Sequence, residues 1–404
     1  MKTPGEIAHH PFAVMFSTTL VLAYASLIAL YPAAIAPELA QSLGVSSSAV
    51  GLQLSLIFGG AILSSLIGGP LTRRLGPCRT SQLSLGLLGS GALFLSVPTL
   101  PSFAIASLVA GLGYGLTNPA ASLLLVRFTP SQHRGLIFSI KQTGVPLGGV
   151  LAGATAPLIA VTLGWQTGLW LYGALAVVGI VLLQPNISYW DDQRTPGTPW
   201  LSRPFTGVAL VWQQPSLRYV ALLSLCFATI QLSISAFTVA LLVEDVAFRL
   251  VDAGLVMSAL QVSGVLGRIA WGWLGDRLGN RFLTLLIIAA TTALGCMLIA
   301  SMSASWPTFL VVVILCLTGF ASLGWNGVFM AEVAQLSPTN RVADAAGGCL
   351  VFTYSGVLFG LPLFASLHAW LGNYPSVFGL LSGLALASIG FLWLAHSHRH
   401  SPTS

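Results

Sequence analysis

Two cations lie inside long apolar stretches of this 404-residue chain: Lys141, in FSIKQTGVPLGG, and Arg268, in GVLGRIAWGW. Charge in hydrocarbon is costly, so each is a functional hypothesis whose counter-charge has to be found. The acids lie elsewhere: Glu38, Glu332 and Asp344 fall near the ends of apolar stretches, Glu244, Asp245 and Asp252 in a polar loop, and Asp276 in a charged turn. The chemistry these residues point to is attraction of an anion. A bound carboxylate neutralises such cations, and the planar fork of arginine matches its two oxygens. The competing reading is that backbone carbonyls, tyrosine hydroxyls or water satisfy them, with Lys141, roughly 9 Å inside its helix, snorkelling to the surface.

The elements that must carry these residues follow from composition. Hydrophobic residues make up 55% of the chain and charged residues 6%, against about 25% charged in a soluble domain, and the mean hydropathy is +0.87. This predicts an all-α polytopic membrane protein in a lipid bilayer. Taking about 20 apolar residues per span, breaks at charge, Pro and Gly give twelve helices: 13–36, 48–72, 80–97, 101–125, 135–161, 166–184, 217–243, 253–274, 281–302, 307–331, 345–370 and 375–395. The first run, Ala13 to Ile35, is too long for a secretory leader and reads as a retained span. The longest polar interval divides the spans six and six. The expected domains are a bundle at 1–184, a cytoplasmic linker at 185–216 and a bundle at 217–404, with Trp190 and Trp200 of the linker at the membrane interface.

Charge placement sets the orientation. With the N-terminus inside, the cytoplasmic face collects Lys2, Arg73, Arg74, Arg79, Arg127, Arg134, Arg194, Arg203, Arg218, Arg277, Arg281, Arg341 and Arg399, and the opposite face only Arg249. Both termini are therefore expected in the cytoplasm, in an inner or plasma membrane. The same one-sided loops account for the net charge of +6, so nucleic acid is not an expected partner.

An internal repeat joins the halves: GGPLTRRLGPCR at 68–79, after the second span, returns as WGWLGDRLGNR at 271–281, after the eighth. Such repeats are a sign of secondary transporters with a site near the midplane. Here the chain resembles the major facilitator superfamily, whose motif between the second and third spans reads G-x-L-a-D-r-x-G-r-k. The second copy matches at Gly272, Leu274, Asp276, Arg277, Gly279 and Arg281; the first keeps Gly69, Leu71, Arg74 and Gly76 but has Arg73 in place of the acid. The resemblance implies a twelve-helix fold of two pseudo-symmetric bundles, and a cytoplasmic gate formed by these motif residues, with the latch resting mainly on Asp276. For substrate, fold alone says little.

A narrower resemblance is to oxalate:formate exchangers and monocarboxylate transporters, which carry an essential arginine four residues before the motif glycine, the spacing of Arg268 to Gly272. Two features depart from them: Gly264 stands where the monocarboxylate transporters have an acid, and the exchangers' lysine in the eleventh span is missing. The expected cation pair is therefore Arg268 with Lys141, since in the superfamily the fifth and eighth spans face each other. The KQTGVPLGG run is also similar to segments of cyanate and nitroimidazole transporter relatives. Spans one, four, seven and ten line the family's cavity, which nominates Tyr24, Tyr31, Tyr114, Asn118, Gln231 and Asn326. Gln142 and Thr143 beside the lysine, Gln261 before the arginine, and Tyr354 join them, with Trp325 and Phe352 as an apolar wall. Each polar residue has an alternative role as a helix–helix hydrogen bond.

Gly144, Pro146, Gly148 and Gly149 predict close packing and a bend in the fifth span, and Gly111, Gly113 and Gly115 close packing in the fourth. The five cysteines show no CxxC spacing, and the C-terminal HSHRHS reads as a solvated tail rather than a metal site. No HExxH, Walker A or GxSxG arrangement is present, so the chain is not expected to be an enzyme or to need a cofactor or metal. These readings converge on a monomeric secondary transporter of a small organic anion, a carboxylate, by alternating access, through proton symport or anion exchange. The alternatives are proton-coupled efflux of drugs or metabolites, which calls for a buried carboxylate, and a non-transporting membrane sensor, which calls for a sizeable soluble domain.

Overall fold

The computed structural model describes residues 11–128, 134–197, 205–338 and 341–399. Lys2, Trp200 and Arg203 lie outside the described residues. Among the described residues the secondary structure is helical: α1 (Pro11–Ala34), α2 (Ala36–Leu43), α3 (Ser47–Val50), α4 (Leu52–Leu75), α5 (Pro77–Leu95), α6 (Leu100–Phe128), α7 (Arg134–Gln142), α8 (Gly144–Leu163), α9 (Trp165–Leu183), α10 (Ile187–Trp190), α11 (Thr206–Gln213), α12 (Pro215–Glu244), α13 (Leu250–Leu278), α14 (Arg281–Ala300), α15 (Thr308–Ser322), α16 (Asn326–Leu336), α17 (Val342–Leu371) and α18 (Tyr374–Arg399). Among the described residues eleven stretches are long and apolar enough to cross a membrane. The span expected at 80–97 exists as α5, nineteen residues long, but is not among the eleven. Its first turns carry Arg79, Thr80, Ser81 and Gln82, which lower its apolar character.

The chain divides into two compact units, Met1–Val45 with Leu56–Pro204, and Ser46–Ser55 with Phe205–Ser404. In the first, α1 is central and packs on α6 and α8, while α5 lies between α6 and α9. Every residue of α1 from Val21 to Ala34 is buried, as befits a helix apolar on all sides. Gly115 lets α6 close on α4: a Cβ there would come within 2.1 Å of Ser64 Oγ. In the second unit α12 is central, packing on α17 and α18, with α13 against α15 and α14 against α18. Ser233 to Leu242 of α12 are buried without interruption.

Two spans are broken. The expected bend in the fifth falls at Thr143, between α7 and α8, where Pro146 has no N–H to offer the Gln142 carbonyl. The tenth, expected as one helix at 307–331, turns at Leu323–Trp325 between α15 and α16. Gly324 in that turn leaves room for the ring of Trp271, whose Nε1 donates to the Phe320 carbonyl at 2.9 Å.

The interval expected as a linker is structured at both ends. It holds α10 (Ile187–Trp190) in the first unit and α11 (Thr206–Gln213), which packs on α17, in the second. The C-terminal histidine tract, expected as a solvated tail, is described in part. The described part of it continues α18, with the His396 ring 4.5 Å from Phe282 and His398 stacked on Tyr219 at 5.7 Å.

Candidate functional site

In the first unit, α7 ends one residue after Lys141. The lysine is 2% exposed, and its Nζ donates to Asn118 Oδ1 of α6 at 2.5 Å. The ammonium is thus turned inward onto an amide rather than snorkelling. Tyr114, one helical turn before Asn118, is buried with its ring 5.4 Å from Phe58. Gln142 beside the lysine is half-buried.

In the second unit, Arg268 is half-buried on α13, and its Nε donates to the Leu323 carbonyl at 3.1 Å. That carbonyl opens the turn of the broken tenth span. The same turn anchors a network: Gln231 Oε1 of α12 accepts from Trp325 Nε1 at 2.8 Å and from Asn326 Nδ2 at 3.1 Å. Trp325 stacks on Phe227 with ring centres 5.3 Å apart. Gln261, 1% exposed, donates to Ser235 Oγ at 3.1 Å. Tyr354 is half-buried on α17, while Phe352 stacks on Trp212 at 6.0 Å.

The first-span tyrosines are used in packing. Tyr24 donates to the Tyr172 carbonyl at 2.8 Å and Tyr31 to the Trp165 carbonyl at 2.6 Å, tying α1 to α9. Glu332, expected near the end of an apolar stretch, lies close to the end of α16 and is 5% exposed there.

At the motif turns, Gly279 closes α13 in the left-handed region, with φ 59°. Asp276 is exposed, 4.0 Å from Arg281, and Arg277 lies over the Trp273 ring at 5.0 Å. Nothing lies within 4 Å of where a Gly272 Cβ would sit. Asn280 caps α14 with its own side chain, accepting from Leu283 N at 3.0 Å. The first copy has no such side chain: Gly76, φ 97°, precedes α5. Asp191 supplies the cap from a distance, with Oδ1 accepting from Cys78 N at 2.7 Å and Oδ2 from Arg79 N at 3.1 Å. Its neighbour Asp192 takes a two-point ion pair from Arg127, one contact at 2.8 Å, and Thr195 N donates to the Arg73 carbonyl at 2.7 Å. Arg74 is half-buried, and Gly69 has Arg73 as its nearest neighbour.

The two aspartates titrate in opposite directions. Burial raises the Asp191 carboxyl above the ordinary range despite its two N–H donors, while the hydrogen bond from Arg127 lowers Asp192. Sequence reasoning passed over Asp191, although a helix opening on Gly-Pro without a capping side chain signals that an acceptor must come from elsewhere. It also missed the Leu323 carbonyl, which no proline marks.

Against known proteins, the description of the Major Facilitator Superfamily matches residues 16–347 and 221–404. The chain belongs to this superfamily. It is 30% identical to monocarboxylate transporter 13 of Rattus norvegicus over 81% of this chain and 75% of that one. It is 25% identical to the gallate transporter of Pseudomonas putida over 90% and 87% respectively. Among solved structures, the peptide transporter POT in complex with sulfate aligns over 98% of each chain with a TM-score of 0.75 at 15% identity, a likeness of fold alone. The chain is a multi-pass membrane protein of a transporter family, not an enzyme.

Proposed function

We propose that this member of the superfamily is a secondary transporter moving a small organic anion, a carboxylate, by alternating access, through proton symport or anion exchange. The observation that carries the reading is the pair of cations kept inside the helices, Lys141 and Arg268, each donating to a neutral oxygen, the Asn118 amide and the Leu323 carbonyl. Such hydrogen bonds orient a cation without cancelling its charge, so an arriving carboxylate gains both field and geometry. Two relatives carry names of organic-acid transport, monocarboxylate transporter 13 and gallate transporter, which agrees with this chemistry.

In this reading Arg268 of the second unit and Lys141 of the first are each a cation that attracts the carboxylate. Gln142, Tyr114, Asn118, Gln231, Gln261, Asn326 and Tyr354 supply the polar surroundings. Asp276 and Arg277, with Gly272, Gly279, Gly69, Arg74 and Gly76, form the gate at the basic face, which lies in the cytoplasm with both termini. The protein works as a monomer in the inner or plasma membrane.

A second reading, proton-coupled efflux of drugs or metabolites, is favoured by one observation, the burial of Glu332 within the tenth span, since such exchange needs a carboxyl group sheltered from water. A thermal-shift screen of the purified protein against acetate, lactate, benzoate, 4-hydroxybenzoate, gallate and a set of cationic drugs separates the two, because a ligand of the native state raises its melting temperature. Stabilisation by carboxylates, with uptake abolished in Arg268→Gln while the protein still reaches the membrane, is the expected result. Stabilisation by the cationic drugs alone overturns it.

A further inference from the structure

Lys141 and Asn118 lie on neighbouring helices of the first unit, and each sits beside an irregularity. Lys141 is the second-last residue of α7, before the turn at Thr143. Asn118 precedes Pro119, inside α6. A proline within a helix leaves the carbonyl four residues earlier without its N–H and bends the chain there.

The asparagine side of the contact is the better anchored. Pro119 lies against Gly68 of α4, where a Cβ would come within 2.7 Å of the proline ring. One turn before Asn118, Tyr114 is buried against Phe58. A side chain fixed in this way offers its oxygen from a defined place. The lysine, by contrast, has four rotatable bonds and needs an external partner to hold its head.

The acceptor is an amide. An amide oxygen orients an ammonium and leaves the positive charge intact, whereas a carboxylate at the same distance would form an ion pair in a low-dielectric setting, and a substrate anion would have to compete with it. We infer that Asn118 is the positioning residue for Lys141, a neutral acceptor that aims the ammonium for a substrate carboxylate. This rests on the anion-transport reading above and assigns Asn118 a role different from ligand contact: it acts through the lysine.

The test uses the full chain in proteoliposomes, with labelled lactate and gallate as probes and the melting temperature measured on the same preparations. Asn118→Asp is expected to keep or raise the melting temperature, because it adds an ion pair, yet to raise KM about tenfold or more for the transported acid, the scale of one charge-assisted contact. Asn118→Leu is expected to raise KM by a similar factor. In a Lys141→Gln background Asn118→Leu is expected to leave KM unchanged, an outcome that a purely structural role of Asn118 does not produce.

The outcomes separate the two levels. If Lys141→Gln impairs uptake but both Asn118 variants transport like the parent, the positioning role is overturned and the anion reading stands. If Asn118→Leu loses the same factor in the Lys141→Gln background, Asn118 acts independently of the lysine and the inference is again overturned. Uptake of neither probe by the parent protein, with no carboxylate stabilising it in the melt, overturns the anion reading and this inference with it.

Discussion

Arg268 Nε donates to the carbonyl of Leu323 at 3.1 Å, joining α13 to the residue where the tenth span leaves its helix. The guanidinium thereby has its Nε edge committed to the protein, and its planar fork sets the directions in which its other N–H groups donate. Arg268→Lys keeps the charge but offers only a compact ammonium on a more flexible stem. It is expected to lower kcat/KM for the transported acid by tenfold or more, read by initial-rate uptake, with surface expression within the parental range. Rates equal to the parent's would show that charge alone suffices.

Asp191 and Asp192 give opposite pH signatures. The Asp191 carboxyl is raised by burial, so its contribution to stability is present below the ordinary aspartate range and is lost as pH rises through its own raised value. Asp192 is lowered by Arg127, so its contribution is present above the ordinary range and is lost as pH falls through its lowered value. In melting curves collected across the acid range, Asp192→Asn is expected to flatten the loss of stability at the acid extreme. Asp191→Asn is expected to remove the decline just above the ordinary aspartate value.

Gly76 and Gly272 stand in corresponding copies of the motif but differ in tolerance. Gly76 has φ 97° and Asp191 packed where a Cβ would sit, so Gly76→Ala combines a backbone cost of about 1–2 kcal/mol with the loss of a helix cap worth roughly 1 kcal/mol. Its melting temperature is expected to fall clearly. Gly272 lies inside α13 with open space around it, and Gly272→Ala is expected to leave the melting temperature unchanged or raise it by the equivalent of about 0.5–1 kcal/mol.

Tyr31 separates packing from ligand binding. Its hydroxyl donates to the Trp165 carbonyl at 2.6 Å, and the residue is fully buried. Tyr31→Phe is expected to cost about 0.5–1.5 kcal/mol of stability and to leave the KM of the transported acid unchanged. A tenfold rise in KM without a shift in melting temperature would instead place Tyr31 in contact with the substrate.

The helices were largely legible from the sequence because hydrocarbon imposes a length rule that single residues rarely override. The third span marks the limit of that rule: Arg79 to Gln82 thin its apolar character, yet α5 forms because α6 and α9 cover it. The bend beside Lys141 could be read from Pro146, which cannot donate. The break at Leu323–Trp325 carries no proline and rests on how Trp271 fits against Gly324, a tertiary fact.

Of the candidate site residues, type and position nominated Lys141, Arg268, Gln231 and Asn326, but not their partners. Asn118 was legible as a polar residue in a span, not as the acceptor of Lys141, because that pairing depends on the relative rotation of α6 and α7. Tyr24 and Tyr31 show the converse, since polar atoms in a span are as useful to a neighbouring helix as to a ligand. The cap on α5 comes from Asp191, more than one hundred residues along the chain, a distance at which no local pattern is informative.

The interrupted tenth span also has a mechanical consequence. α16 is a short rod hinged at Leu323–Trp325, and the hinge end is pinned by Gln231 through Trp325 and Asn326. Glu332 lies six residues further along this rod, a lever arm of roughly 9 Å. A tilt of about 10° at the hinge therefore carries the Glu332 backbone some ~1.6 Å sideways. That is about the difference between a good hydrogen bond and none, so a small rotation of one short helix is enough to change the surroundings of this buried acid.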